Sequence, residues 1–287
     1  MIFYGGFQRL ATLQEWLPRC LIRKTGLERR CNMYTIYGMK LGEGDMDNRL
    51  NIAGGPGGKI RLFCYMWCIK GMDTTILVDT GIADEDFKKN SEKLQNPASP
   101  EVLLDRINVN PRNVETVIVS HLHWDHFSAH GLYPEATFYI QSKEVAFWAT
   151  LPRHHSGFMA DCRVAELIGL NFAGRVRFVD GDEEIMPGIR VVLVGGHTPG
   201  SQIVTVQTAK GTAVLTCDAV NHYEQINANI PNSPVSGTAE DASHGLLAIE
   251  TIKKLATSPD LIIPGHDPLV MSKFPSVAEG VVRIGDG

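Results

Sequence analysis

Short apolar blocks of strand length punctuate the chain. Residues 60–69 and 74–79 are rich in β-branched and aromatic side chains, and Gly71-Met72-Asp73 between them is a hairpin signal. Blocks at 33–39, 116–120, 137–140, 190–194, 202–207, 212–217 and 261–263 predict further strands. Helices are predicted at 84–94, 99–107, from Ser142 onward, at 161–170 and at 240–255. Ser99 followed by Pro100 marks a helix start, because the hydroxyl can accept from a free N–H and proline lacks one. Pro152, His154, His155 and Gly157 make 150–175 irregular at its start, and 227–237 reads as a loop. Gly54-Gly55-Pro56-Gly57-Gly58 is also a loop; without a following Lys-Ser/Thr it is no phosphate cradle. Strands alternate with helices, yet some neighbours are hairpin-linked. That predicts a mixed, layered α/β fold rather than a wheel of βαβ units. No apolar run approaches the ~18 residues of a membrane span.

Composition narrows the reading. The chain has 287 residues, 44% hydrophobic and 21% charged, with a net charge of −5. That balance excludes a disordered chain and argues against a dedicated nucleic-acid binder, which shows a basic excess. The six cysteines include Cys64 and Cys68 in a C-x3-C spacing, with Cys20, Cys31, Cys162 and Cys217 scattered and no C-x-x-C. They read as reduced thiols in a cytoplasmic protein. Residues 1–32 stand apart, with six basic against two acidic residues and no apolar core of a secretory signal. They are expected to be an N-terminal extension outside the core, with 33–287 forming a single domain that opens at Met33. Such an extension could contact a second copy in a homodimer.

The chemistry concentrates in Ser120-His121-Leu122-His123-Trp124-Asp125-His126. Three imidazoles and a carboxylate fall within six residues, directly after a predicted buried strand. Imidazole and carboxylate are the usual ligands of borderline divalent metals. In an extended segment His121 and His123 point the same way and can grip one ion, while Asp125 and His126, past the bend, can grip a second. Two more histidines sit in the same setting. The strand at 190–194 leads into Gly195-Gly196-His197-Thr198-Pro199-Gly200, and the strand at 261–263 leads into Pro264-Gly265-His266-Asp267. The strand at 212–217 ends at Asp218. Each places a ligand type where side chains can converge on one sheet edge. His130, His154, His155, His222 and His244 carry no motif and read as surface or supporting residues, with His154-His155 in a stretch that could cover the site. Asp84/Asp86 and Glu183/Glu184 read as solvated charge, and Trp124 as packing or pocket wall.

The order H-x-H-x-D-H, then His, Asp and His, resembles the metallo-β-lactamase superfamily over about residues 34–270. The resemblance implies an αββα sandwich with a dinuclear metal site at the shared sheet edge. His121, His123 and His197 would hold one ion; Asp125, His126 and His266 would hold the other; Asp218 and a hydroxide would bridge them. Zn2+ is the expected metal, with Mn, Fe or Co as substitutes. Within the superfamily, Ser120–His126, Gly196-His197-Thr198-Pro199-Gly200-Ser201-Gln202, Asp218-Ala219, Gly265-His266-Asp267 and Gly55-Pro56-Gly57-Gly58 resemble the N-acyl homoserine lactonase group. The implied activity is opening of a lactone ring by attack of the metal-bound hydroxide, with Asp125 shuttling the proton to the leaving alkoxide. Many lactonases carry a substrate-contacting Tyr three residues after the bridging Asp. Here that position is Asn221, and Asn221, His222 and Tyr223 become the candidate donors to the substrate carbonyl. The expected partner is a small-molecule lactone or ester, with no nucleic acid and no membrane. Thioester (glyoxalase II-like), phosphoester and β-lactam hydrolysis on the same site are the alternatives, followed by a non-catalytic metal or ligand sensor.

Overall fold

The computed structural model describes residues 33–286 apart from 54, 56, 72, 151–162 and 228–239. The extension at 1–32, the histidine pair His154-His155, most of the loop at 227–237, and Cys20, Cys31 and Cys162 therefore lie outside the described residues.

The strands in chain order are β1 (Thr35–Asp47), β2 (Lys59–Lys70), β3 (Thr75–Val78), β4 (Leu94–Gln95), β5 (Thr116–Ile118), β6 (Thr137–Gln141), β7 (Val176–Val179), β8 (Glu183–Met186), β9 (Ile189–Leu193), β10 (Gln202–Thr208), β11 (Gly211–Leu215), β12 (Ile262–Ile263), β13 (Ser276–Ala278) and β14 (Val281–Ile284). The helices are α1 (Asn48–Asn51), α2 (Asp84–Lys89), α3 (Pro100–Asp105), α4 (Trp124–Phe127), α5 (Ser142–Thr150), α6 (Val164–Phe172), α7 (Tyr223–Asn227), α8 (Ala242–Leu255) and α9 (Leu269–Lys273). Among the described residues, the larger sheet runs β13-β14-β1-β2-β3-β5-β6-β7, with β4 paired to β1; the smaller runs β12-β11-β10-β9-β8.

The side-chain period of two in β2 explains how the layers assemble. Tyr65, Trp67 and Ile69 join Val191, Val204 and Val214 of the smaller sheet in one core. Cys64, Met66 and Cys68 face the other way and join Leu103, Leu104, Val145 and Leu167 from α3, α5 and α6. Ile249 and Ile252 place α8 on the core that holds the smaller sheet. The result is helices, sheet, sheet, helix: the expected αββα sandwich. Strands buried on both faces read as continuous apolar runs, which is why 62–69 is so uniformly apolar.

Several expected elements change in extent. The strand at 33–39 continues to Asp47 through an irregularity between Lys40 and Gly42, because β2 offers pairing partners along its whole length. The helix expected at 84–94 stops at Lys89. Asn90 turns its side-chain amide back to the Asp86 carbonyl, at 3.0 Å, and Leu94 pairs with Gly44 instead. Ser99 does cap α3, accepting from the Val102 N–H. The edge strands β7 and β8 escape a reading by apolar pattern, since Arg177 and Phe178 are exposed and β8 opens with Glu183-Glu184. Asp86 is not solvated charge: it is buried and ion-paired with Arg163, and Glu183 is likewise paired, with Arg177. Cys64, Cys68 and Cys217 are buried thiols, and burial pushes Cys68 up to about 12. No described helix is long and apolar enough to cross a membrane.

Candidate metal centre

The topology brings every ligand-bearing loop to one edge. β3, β5 and β6 run parallel, so the segments after Val78, Ile118 and Gln141 leave on the same side. In the smaller sheet β11 and β12 run parallel and β10 runs against β11. The exits toward Asp218 and His266 and the β9–β10 turn carrying His197 therefore share an edge. Backbone and side-chain bonds join the two sheets there. Gln202 donates from its backbone to the Ser120 carbonyl (3.1 Å) and from its amide to the Val119 carbonyl (2.7 Å). Phe63 N–H donates to the His266 carbonyl at 2.9 Å. Gly265 lets the segments after β11 and β12 close on each other: a Cβ there would lie 2.3 Å from the Cys217 carbonyl oxygen.

Two clusters result, and both contain Asp218. In the first, His121 Nε2 and His197 Nε2 lie 2.9 and 3.0 Å from His123 Nδ1. Asp218 Oδ2 is 3.3 Å from His197 Nε2 and 3.9 Å from His121 Nε2. In the second, Asp218 Oδ1 is 3.0 Å from His126 Nε2 and 3.1 Å from His266 Nε2. Asp125 Oδ2 stands 3.6 Å from His126 Nε2, and Asp125, His266 and Cys64 bring ligand atoms within 4.8 Å of one another. The seven histidine and aspartate residues singled out in the sequence are thus gathered in one buried place. One carboxylate turns an oxygen to each cluster.

Their protonation differs between clusters. Burial, the dominant influence, holds His121, His123 and His197 below the usual histidine range, His197 at about 3, and nearby imidazoles push the same way. Burial also opposes charge on His126 and His266, but there the acids win. Asp218, Asp125 and Asp79 lift His126, and Asp218 with Cys64 lifts His266. For Asp218, burial opposes ionisation, yet His126, His266 and His197 hold its carboxyl well below the usual range.

The donor set fits divalent cations. Three imidazole nitrogens aimed at each other in a dry pocket, beside a carboxylate shared with two more, are costly to bury on their own. They form the nitrogen and oxygen environment that such ions take.

Supporting groups hold the rings of His121, His126 and His266. Asp79, at φ +63°, accepts from Ser120 N–H (2.8 Å) and Ser120 Oγ (2.9 Å), and its Oδ2 lies 2.8 Å from His126 Nδ1. Ser120 Oγ in turn lies 3.0 Å from His121 Nδ1. His266 Nδ1 reaches the Phe63 carbonyl at 2.9 Å. Such partners orient ligand rings and set which nitrogen faces the metal. Asp79 is not among the ligands that the sequence motifs mark. Its signal was an acid directly after a buried strand, the same position that drew attention to His121.

The three candidate substrate contacts are placed differently. The Asn221 carbonyl accepts from His266 N–H at 2.9 Å, and its N–H donates to Gln225 Oε1 at 2.7 Å. Both ring nitrogens of His222 are engaged, with Asn51 Oδ1 at 2.7 Å and the Arg61 carbonyl at 3.0 Å. Tyr223 N–H donates to Asp267 Oδ2, and Lys273 Nζ sits 4.5 Å over its ring. His244 is an exposed partner of Asp241, and His130 stacks on Phe127.

Comparison with known proteins decides the family. Residues 60–266 match the metallo-beta-lactamase superfamily. The chain belongs to that superfamily. It is a metal-dependent hydrolase on that footing. The N-acyl homoserine lactonase AiiA of Bacillus thuringiensis subsp. kurstaki is 25% identical over 232 residues, covering 76% of this chain and 86% of AiiA. The N-acyl homoserine lactonase AttM of Azorhizobium caulinodans is 29% identical over 180 residues, 58% of this chain and 64% of AttM. Among solved structures, an N-acyl homoserine lactone hydrolase with N-hexanoyl-L-homoserine at its catalytic metal centre superposes with a TM-score of 0.67. It is 21% identical and covers 85% of this chain and 97% of its own. The dizinc lactonase AidC superposes at 0.65, with 15% identity over 90% of this chain and 96% of its own. These superpositions are likenesses of fold.

Proposed function

We propose that the protein hydrolyses lactones with two divalent cations, most simply Zn2+, held at this edge. The observation that carries the reading is Asp218, whose two oxygens face two separate imidazole clusters. His121, His123 and His197 would hold one cation and Asp125, His126 and His266 the other, with Asp218 shared. When bound, the pair would supply an activated water and a Lewis acid for the lactone carbonyl. The protein's own residues then have distinct tasks. Asp125, at the boundary of the second cluster, carries the proton to the alkoxide released on ring opening. His222, with both ring nitrogens engaged, positions Asn51 and the β2 strand rather than touching substrate. Asn221 and Tyr223 are the candidate donors to the carbonyl oxygen. The likeness to lactonases of 25–29% identity favours a cyclic ester over the other bonds this site could cleave. We further treat residues 1–32 as an extension to a single domain; removing them should leave the unfolding midpoint of 33–287 unchanged. Buried thiols at Cys64, Cys68 and Cys217 suit a reducing, cytoplasmic compartment.

The test is a substrate panel on metal-loaded protein: N-acyl homoserine lactones, simple γ- and δ-lactones, thioesters, phosphoesters and β-lactams. The expected result is turnover of at least one lactone well above the rest. Turnover confined to thioesters, phosphoesters or β-lactams would overturn the lactone assignment.

A further inference from the structure

One buried carboxylate outside the ligand set stands out. Glu144, in the first turn of α5, has no exposed surface. Its Oε1 accepts from the Leu122 N–H at 3.0 Å and from Trp148 Nε1 at 2.7 Å. Its Oε2 accepts from Thr198 Oγ1 at 2.6 Å and from the Gly200 N–H at 3.2 Å. Leu122 lies between His121 and His123, and Thr198 follows His197. The indole of Trp148 stands edge-on to the His123 ring, with centroids 5.5 Å apart. The Gly200 backbone presses against this helix turn so closely that a Cβ on Gly200 would lie 2.2 Å from Glu144 N.

All four donors come from around the first cluster. None of these four hydrogen bonds goes to His126, Asp218 or His266 or to a residue next to them. The second cluster has its own support in Asp79 and the Phe63 carbonyl. We infer that Glu144 is the positioning residue of the first subsite: a single carboxylate that sets the H-x-H segment against the His197 turn and so fixes the spacing of His121, His123 and His197. It acts through these neighbours, not on substrate. The inference rests on the two-cation reading above.

The chemistry of the side chain makes the test sharp. A carboxylate accepts four hydrogen bonds and donates none, whereas an amide presents an NH2 on one side. Glu144→Gln keeps the shape but sets its NH2 against a fixed N–H donor whichever way it turns, Leu122 and Trp148 on one side or Gly200 on the other. Outer partners of ligands change metal affinity by about 10–100-fold when altered. Zinc affinity of wild type, Glu144→Gln and Thr198→Val is measured by competition with a chromophoric chelator, and bound metal is counted by mass spectrometry after dialysis at fixed free zinc. Thr198→Val removes one of the four bonds and serves if Glu144→Gln fails to fold. Wild type is expected to bind two ions. In either variant one ion should weaken, by about 10–100-fold for Glu144→Gln and less for Thr198→Val, while the other keeps its wild-type affinity. Co2+-loaded Glu144→Gln should then show the absorption of a singly occupied protein at free cobalt that fills both sites in wild type. Two ions bound with wild-type affinities in both variants, or an equal loss of both ions, would overturn the inference. A wild-type protein that binds fewer than two ions would instead overturn the two-cation reading.

Discussion

The two clusters share a carboxylate but are built on opposite electrostatic plans. The first is a knot of three imidazoles that burial keeps neutral, reached by only one oxygen of Asp218. The second sets two imidazoles among acids, and Asp218, joined by Asp125 and Asp79 at His126 and by Cys64 at His266, outweighs burial there and favours the charged rings. Neutral rings are ready ligands; charged rings must give up a proton when a cation arrives. The difference teaches that one shared carboxylate can join two clusters whose surroundings push their imidazoles in opposite directions. Glu144 stands under the first cluster, whereas Asp79 reaches His126 of the second directly and His121 of the first through Ser120.

The largest effect should come from removing what the clusters share. Asp218→Asn should lower metal content and cut turnover by more than about 100-fold, since both clusters lose an anionic ligand. Metal analysis beside lactone turnover checks it, and a variant with two ions and wild-type rate would break the scheme. Next comes the support of the second cluster. Asp79→Asn should weaken zinc binding by about 10–100-fold, and it should do so with less proton release on zinc addition than wild type, because His126 loses one of the three acids that lift it. Calorimetry in buffers of different ionisation enthalpy reads both quantities. Unchanged proton release would mean that the second cluster is not acid-controlled.

Backbone crowding gives a smaller effect. Gly200→Ala drives a methyl into the α5 backbone and should cost about 1–3 kcal/mol in urea unfolding. A methyl tolerated without loss would show that the His197 turn has room to shift. The mildest test is acid and base on the metal-free protein. His121, His123 and His197 bind protons more weakly folded than unfolded, where histidine titrates near 6.5. Their contribution is therefore lost as pH falls from about 6.5 toward about 3, where His197 charges. His126 and His266 are raised in the fold, so theirs is complete below about 6.5 and lost as pH climbs through the folded values. Stability of the metal-free chain should peak near pH 6.5, and added zinc should flatten the alkaline side. A monotonic profile would remove the contrast between the clusters.

Much of the site is legible in the sequence. His121, His123, Asp125 and His126 are packed in one segment, and His197, Asp218 and His266 each follow a short apolar strand. Strand ends on a common edge are where such side chains meet, so local pattern and fold class together suffice. Asp79 and Glu144 were not legible in the same way. Asp79 meets Ser120 at a separation of 41 residues, and Glu144 meets Thr198 at 54. Their roles depend on which buried donors face them, and no spacing along the chain encodes that. Glu144 in particular looks like an ordinary helix-start acid. The strands hidden from the pattern, β7 and β8, are edge strands with charged or exposed positions, where burial writes no alternation. His222 reads in the sequence both as a supporting residue and as a candidate donor, and in the fold both its nitrogens are bonded to neighbouring segments.

The central claim is that two cations at this edge open a lactone. The most direct measurement strips the full chain with chelator and titrates Zn2+ back while following proton release from the best lactone of the panel. The account predicts no turnover in the stripped protein and recovery that saturates at two equivalents per chain. Undiminished turnover after stripping, or full recovery at one equivalent, would contradict it.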